Sequence, residues 1–177
     1  FTGDRGKYIK LNSTNAEVSE TTVYPNTAAT STVYSVGTDN SVNGSGSSYV
    51  AYCWAEIPGY SKFGSYEGKD SDDGPYVHLG FRPAFLFIRK RQGEDTVIYD
   101  VKRDTRNEIG QNGRLYIDLN NAEGGTTKDM DLHSNGFKLR KNTGIVNAAS
   151  GNAVYIYMAI AEKPDLTPYN AVPTAKS

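Results

Sequence analysis

One long apolar run limits what this chain can fold into. Residues 75–91 (PYVHLGFRPAFLFIRKR) form the longest such run, and its centre, FLFI at 85–88, is apolar on both alternating faces. A strand with one face in water would carry a polar residue at every second position. The run therefore predicts a central strand that is covered on both sides and begins near Gly80 and Pro83.

Two further segments have the same character, namely residues 49–56 (YVAYCWAE) and 154–162 (VYIYMAIAE). The chain also has 18 Gly and 13 Tyr, with much Ser, Thr and Asn between the apolar segments, a mixture that favours strands and turns. We therefore expect an all-β fold, an antiparallel two-layer β-sandwich of the jelly-roll or lectin-like kind. Cys53, inside the first segment, is expected to pack as a small buried hydrophobe.

Turn residues predict two hairpins. Residues 92–95 (QGED) read as a turn after the central strand, and the alternating residues 96–102 are expected to pair back on that strand. Residues 130–139 (MDLHSNGFKL) predict two short strands around a Ser-Asn-Gly turn.

Two passages repeat within the chain. KYIKLN at 7–12 resembles LYIDLN at 115–120, and residues 49–58 resemble residues 155–164. The offset is close to constant, 108 residues from Tyr8 to Tyr116 and 106 from Glu56 to Glu162. We therefore predict that residues 1–58 are the back half of a first unit, residues 59–164 a complete unit and residues 165–177 an extended tail with prolines. The start at Phe1, in mid-motif and without methionine, leads us to expect a longer parent chain.

The charge and the cysteine count exclude several classes of protein. The net charge is −1, whereas a nucleic-acid-binding protein usually carries a basic stripe. A single cysteine allows no disulfide within the chain. No apolar run approaches the roughly 18 residues that a membrane-spanning helix needs. We expect neither nucleic acid nor a membrane span.

The densest acidic group is Asp70, Asp72 and Asp73 before Gly74. Ca²⁺ takes several oxygens from a tight loop, so these three are the one candidate metal site. The remaining ligands of an EF-hand are missing, and a plain acidic turn is the preferred interpretation. We expect no metal and no cofactor.

No motif of a known catalytic site is present. His78 and His133 lack zinc-ligand spacing, and no serine has the Gly-x-Ser-x-Gly frame. A glycosidase needs two carboxylates across a cleft. Glu56 and Glu162 occupy equivalent positions in the repeat, at the ends of predicted strands, so we interpret them as strand-end residues and not as a catalytic pair. We therefore predict that the chain is not an enzyme and that binding, if any, involves polar loops. The candidate binding residues are Tyr66, Asp70, Asp72, Asp73, Asn43 and Asn147.

Several phrases are similar to a known family. FGSYEGKDSDDGP at 63–75, GFRPAFLFIRKR at 80–91, SNGFK at 134–138 and YIYMAIAE at 155–162 resemble, in order, a module of virion appendage proteins of tailed bacteriophages, especially those of marine bacteria. The chain departs from that pattern at Trp54, where the family more often has Phe, and after residue 91, where a tryptophan is absent. The family module often follows a lectin-like sandwich region.

The resemblance implies a virion structural protein, a non-enzymatic module of a tail fibre or similar appendage. It would be located in the phage particle, bind other virion proteins, form a homo-oligomer (a trimer is favoured) and contact host-surface glycans through its loops. The alternatives are a capsid decoration or head fibre protein and, further away, a carbohydrate-active enzyme or a Ca²⁺-dependent lectin. The tests that separate them are particle location, release of reducing ends and stability in chelator.

Overall fold

The computed structural model describes residues 5–103, 108–109, 113–124, 128–142, 144–149 and 153–162. Its regular elements within these ranges are mainly strands. They are β1 (Lys7–Tyr8), β2 (Val18–Ser19), α1 (Asn40–Asn43), β3 (Ser61–Glu67), β4 (Tyr76–His78), β5 (Pro83–Lys90), β6 (Thr96–Asp100), β7 (Glu108–Ile109), β8 (Leu115–Tyr116), β9 (Met130–His133), β10 (Gly136–Leu139) and β11 (Val154–Ala161).

The strands form two larger sheets and one small one. The order is β3-β11-β5-β6-β8 in a five-stranded sheet and β4-β10-β9-β7 in a four-stranded sheet, with β1 and β2 paired separately. All the strand pairs are antiparallel. The predicted all-β, antiparallel sandwich is confirmed.

The core lies between the two larger sheets. Ile88 and Tyr157 of the five-stranded sheet belong to the same buried cluster as Leu132 and Phe137 of the four-stranded sheet. The ring of Phe137 lies edge-on to Tyr66 and to Tyr157, with 5.9 Å between ring centroids in both pairs. Edge-to-face contacts of this kind stabilise a sandwich beyond the simple burial of apolar area.

The long apolar run does not form one strand. Its first part is β4 in the four-stranded sheet and its second part is β5 in the middle of the five-stranded sheet. The chain changes sheets at residues 79–82, where Gly80 has a φ of +86° that most side chains disfavour. The prediction was therefore right for the central position of β5 and for its start near Gly80 and Pro83, but β4, as a separate strand in the other sheet, was not predicted.

The two faces of β5 differ. Leu86 is buried in the core, whereas Phe87 points to the other face and is only half-buried. Ile98 and Met158 stand opposite Phe87 on the neighbouring strands and share its face of the sheet. Full cover on both sides was predicted, but on the outer face Arg89 is fully buried whereas Phe85 and Phe87 are only half-buried.

Both predicted hairpins are confirmed. β5 and β6 pair from Arg89↔Thr96 onward, and the turn between them contains Gly93 at φ +90°. β9 and β10 pair from His133↔Gly136, so Ser134 and Asn135 form their turn. At Gly93, glycine permits the left-handed backbone that this tight turn requires.

The prediction of a buried strand at residues 49–56 is wrong. These residues belong to no strand, and all of them are exposed, including Cys53. Strand propensity alone does not hold a segment in a sheet, because an isolated strand leaves its backbone groups unpaired. Among the described residues no strand pairs with this segment; the nearest pairing is a single bridge from Ile57 to Ser61.

The N-terminal residues lie against the β5–β6 hairpin. The backbone N–H of Glu17 donates to the carbonyl of Arg91 at 2.7 Å, and the N–H of Glu94 donates to the carbonyl of Thr14 at 3.2 Å. Glu17 also accepts two hydrogen bonds of 2.9 Å from the Arg91 guanidinium. The predicted tail at 165–177 lies outside the described residues, and no helix within the described ranges could span a membrane.

Candidate functional site

Asn147 connects two loops at one end of the sandwich. Its side chain is fully buried, accepts a hydrogen bond from the N–H of Lys69 at 2.9 Å and donates to the carbonyl of Ser71 at 2.6 Å. It also donates to the carbonyl of Lys141 at 3.1 Å. Since every polar atom of the amide is used internally, Asn147 holds the loops in place and is not presented to a ligand.

Tyr66 is also buried beneath these loops. Its hydroxyl donates to the carbonyl of Val146 at 2.8 Å, and its ring stacks on Tyr155 at a centroid distance of 5.2 Å. Burial raises the pKa of Tyr66 well above its ordinary value, so the hydroxyl remains a neutral donor. Tyr66 was predicted as a binding residue, but its ring face and its hydroxyl are both occupied by the protein.

The three acidic candidates lie exposed in the same loop. Asp72 accepts a hydrogen bond from the N–H of Asn142 at 3.0 Å. Asp73 lies 2.8 Å from the Lys138 ammonium and 3.8 Å from the Arg140 guanidinium. The hydrogen bond from Lys138 lowers the pKa of Asp73. Lys138 in β10 and Arg140 just after it therefore neutralise part of the negative charge of this loop.

A metal site is not assembled from these acids. Within the described ranges no three His, Cys, Asp or Glu side chains come together as a metal-binding group. Asp70 adopts a φ of +54°, and its backbone N–H donates to the carbonyl of Asn147. Five of the six predicted binding residues thus share one end of the sandwich, and Asn43 belongs to the separate N-terminal part. Asp70, Asp72 and Asp73 lie on an exposed loop that the buried side chain of Asn147 holds in place.

A buried ion pair that the sequence did not suggest joins the N-terminal segment to the five-stranded sheet. Arg89 is fully buried, and its guanidinium donates to Asp118 at 2.7 Å and to the carbonyl of Asn15 at 2.6 Å. Asp118 also accepts from the backbone N–H of Thr96 at 2.9 Å. A buried charge is stable only when it is paired and hydrogen-bonded, so these contacts fix three chain segments together.

A second buried ion pair lies between the sheets. The guanidinium of Arg114 binds the carboxylate of Asp129, which lies just before β9, through its Nε at 2.9 Å and its Nη2 at 2.6 Å. The hydroxyl of Tyr99 in β6 donates to the same carboxylate at 2.7 Å. Burial raises the pKa of Tyr99 well above its ordinary value, and the carboxylate beside it acts in the same direction. Both ion pairs are structural, since they leave no face open to a substrate.

A shallow cavity of about 290 Å³ lies where the chain changes sheets, lined among others by Gly80, Pro83, Ser134 and Glu162. Glu162 faces the Lys102 ammonium at 2.5 Å. Glu56, the other strand-end acid, is exposed in the 49–56 segment and does not line this cavity. The residues that line the cavity do not provide the two carboxylates that glycoside hydrolysis requires.

Among the described residues, the segment 49–57 exposes several large apolar side chains. Tyr52 and Trp54 are 77% and 64% exposed, and their rings lie 6.3 Å apart in a stacked arrangement. Val50 is 79% exposed. Contiguous exposed apolar side chains of this kind mark a contact surface. The sequence contained this signal, since the segment is apolar, but it was interpreted as burial within the domain.

A family model described as a domain of unknown function, DUF7483, matches residues 2–164. No curated protein and no solved structure matches the chain significantly.

Proposed function

We propose that this chain, which belongs to the domain family DUF7483, is a non-enzymatic structural module of a bacteriophage virion, in a tail fibre or similar appendage. The resemblance of residues 63–91, 134–138 and 155–162 to appendage modules supports the virion role. The partners are then other virion proteins and further copies of the chain, with three copies favoured. In this proposal, the exposed loops contact host-surface glycans.

The observation that carries the proposal is the second apolar face of the five-stranded sheet. On the side away from the core, register places Phe63 of β3, Phe85 and Phe87 of β5, and Met158 of β11 on one face. These side chains are only half-buried in the isolated chain. A sheet with apolar residues on both faces suits a protein whose outer face is covered by a neighbouring subunit.

The buried ion pairs support a mechanical role. Arg89–Asp118 and Arg114–Asp129 connect segments that are distant in the sequence. In each pair the carboxylate accepts hydrogen bonds from several donors. Such networks hold one arrangement of strands and loops. A rigid block that presents loops is what an appendage module requires.

The oligomer part of the proposal is tested by sedimentation of the native chain and of a Phe85→Lys variant. We expect the native chain to associate and the variant to remain monomeric, because a charge on the outer face opposes its burial. The control is His78→Lys, which places the same charge on an exposed edge strand of the other sheet. A native chain that remains monomeric at high concentration contradicts this part.

The virion part is tested by gold-labelled antibodies against the chain, applied to particles of the phage that encodes it. Labelled tails or fibres are expected, whereas labelled heads would favour the decoration role and unlabelled, disrupted particles would exclude both. Incubation with host polysaccharide should release no new reducing ends above background; release would overturn the non-enzyme assignment.

A further inference from the structure

The N-terminal and C-terminal parts of the chain share a hydrogen-bond pattern that the sequence repeat did not reveal. The side-chain amide of Asn43 donates to the carbonyl of Gly37 at 3.0 Å, six residues earlier. The side-chain amide of Asn147 donates to the carbonyl of Lys141 at 3.1 Å, again six residues earlier. Each asparagine follows a valine, so a Val-Asn pair makes the same local hydrogen bond twice.

A tyrosine closes both loops in the same way. The Tyr155 hydroxyl donates to the carbonyl of Gly144 at 2.6 Å and accepts from the N–H of Ala148 at 3.0 Å. The Tyr49 hydroxyl donates to the carbonyl of Asn40 and accepts from the N–H of Gly44 at 2.9 Å. In both loops the carbonyl and the N–H are four residues apart. Loops of the same design therefore precede both residues 49–56 and β11.

The segments that come after these two loops have different surroundings. Tyr155 belongs to β11, which is paired with β3 on one side and β5 on the other. Residues 49–56 repeat the sequence of β11 but have no strand on either side among the described residues. Cys53 corresponds in position to Ala159, which is fully buried, yet Cys53 is exposed.

The C-terminal loop also shows what is missing from the N-terminal one. The Oδ1 of Asn147 accepts from the N–H of Lys69, and the carbonyl of Val146 accepts from the Tyr66 hydroxyl. Both donors belong to β3 or to the loop after it. In the part of the chain that the structure describes, no donor reaches the Oδ1 of Asn43, the equivalent acceptor.

We infer that residues 37–57 are a docking element for the front half of a further module of this same family. The partner supplies two strands, equivalent to β3 and β5, that pair with residues 49–56 on either side. It also supplies a tyrosine hydroxyl and a loop N–H for the Val42 carbonyl and the Asn43 Oδ1. Backbone pairing provides affinity, and the loop contacts select this partner over other strands. Docking of this kind does not depend on whether the module belongs to a virion.

The proposed pairing predicts which side chains of the segment face the core and which face the outer side of the sheet. In β11, Tyr155, Tyr157 and Ala159 point into the core, and Ile156, Met158 and Ile160 point to the outer face. On the repeat, Tyr49, Ala51 and Cys53 take the core side, while Val50, Tyr52 and Trp54 take the outer side. The two faces contain the single cysteine and the single tryptophan of the chain, so each has its own probe.

The test adds a second copy of residues 59–108 directly ahead of Phe1, the place where the repeat offset of 108 puts them. The rate at which a maleimide labels Cys53 is measured in the extended and in the 177-residue chain. We expect labelling to slow at least about tenfold in the extended chain, because a core-side thiol reacts only when the strand opens. The emission of Trp54 should move to shorter wavelength in the same sample.

An extension with the same residues in scrambled order is the control, and it should leave the labelling rate of the 177-residue chain unchanged. Equal labelling in the extended and unextended chains overturns the inference even if the added residues fail to fold, since docking is what would fold them. Protection of Cys53 in the unextended chain that grows with its concentration would assign the segment to a second copy and also overturn it. Sedimentation of the Phe85→Lys variant distinguishes that outcome from outer-face association.

Discussion

Asn147 shows how much of the loop geometry depends on one side chain. Its amide is fully buried and binds the N–H of Lys69 and the carbonyls of Ser71 and Lys141. Asn43 has the same local bond but is exposed. The pair therefore separates the local bond, which both share, from the bonds across the sandwich, which only Asn147 makes.

We predict that Asn147→Ala destabilises the chain by about 2–3 kcal/mol, because it removes a fully buried amide and leaves the N–H of Lys69 and the carbonyl of Ser71 without this partner. Asn43→Ala should change the free energy of unfolding by about 0.5 kcal/mol or less, as expected for an exposed site. Denaturant unfolding of both variants checks this. Equal effects would show that the bonds of Asn147 to the 69–71 loop contribute nothing.

Buried tyrosines predict a loss of stability at high pH. Burial raises the pKa of Tyr66 and Tyr99 well above their ordinary value of 10.0, and it raises the pKa of Tyr155 to about 12. Above pH 10 the unfolded chain loses protons that the folded chain keeps, so the free energy of unfolding falls as pH rises. Below pH 10 both states hold these protons and the effect vanishes.

The measurement is a titration of tyrosinate absorbance together with circular dichroism. We expect the exposed tyrosines to ionise reversibly near their ordinary pKa and a second, cooperative step in absorbance to coincide with loss of β structure. Smooth ionisation of all 13 tyrosines with the fold intact would contradict the buried hydroxyls of Tyr66 and Tyr99.

Among the described strands, β10 is the one whose position depends most on a residue without a side chain, Gly136. It lies between β4 and β9, and Gly136 stands opposite both His78 and His133. A Cβ at Gly136 would lie 2.1 Å from the backbone carbonyl oxygen of Val77. Since that atom belongs to the paired strand, no side-chain rotation can relieve the clash.

We therefore predict that Gly136→Ala separates β4 from β10 and costs about 3 kcal/mol of stability. Gly124→Ala is the matched control, because a Cβ there meets nothing within 4 Å, and its effect should stay within about 0.5 kcal/mol. Thermal unfolding and hydrogen exchange of residues 76–78 report both effects. Unchanged exchange in the Gly136 variant would show that β4 does not need this close approach.

Local patterns predicted the strands whose partners are close in the sequence. The β5–β6 and β9–β10 hairpins follow from turn residues between apolar segments, and β11 follows from its composition. The same composition failed at residues 49–56, because a strand requires partners as well as propensity. The start of β5 near Gly80 and Pro83 was predicted, but β4, the short strand before the break at residues 79–82, was not.

At the level of the whole chain, the connections that fix the sandwich join residues far apart in sequence. Arg89 binds Asp118 across 29 positions, and Tyr66 binds Val146 across 80. Arg89 lies in a basic cluster that is ordinary on a solvated strand end, so nothing in the sequence marked it as buried. For the same reason, the sequence did not indicate that Tyr66 and Asn147, two of the candidate binding residues, are buried.

Two surfaces of the isolated chain are incompletely covered by the described residues: the part of the outer face of the five-stranded sheet around Phe63, Phe85 and Phe87, and the 49–57 segment. The proposed assembly covers both, the first by neighbouring copies and the second by the front half of a further module. The division into a back half at 1–58 and a complete unit at 59–164 remains a prediction, and the repeated loop hydrogen bonds support it.

The most direct test is electron cryomicroscopy of the intact phage particle that contains this chain. The account predicts the sandwich in a tail appendage, with residues 49–56 as the strand between two others and Cys53 in a core. A particle without the chain, or an appendage in which residues 49–56 remain unpaired and in contact with solvent, would contradict it.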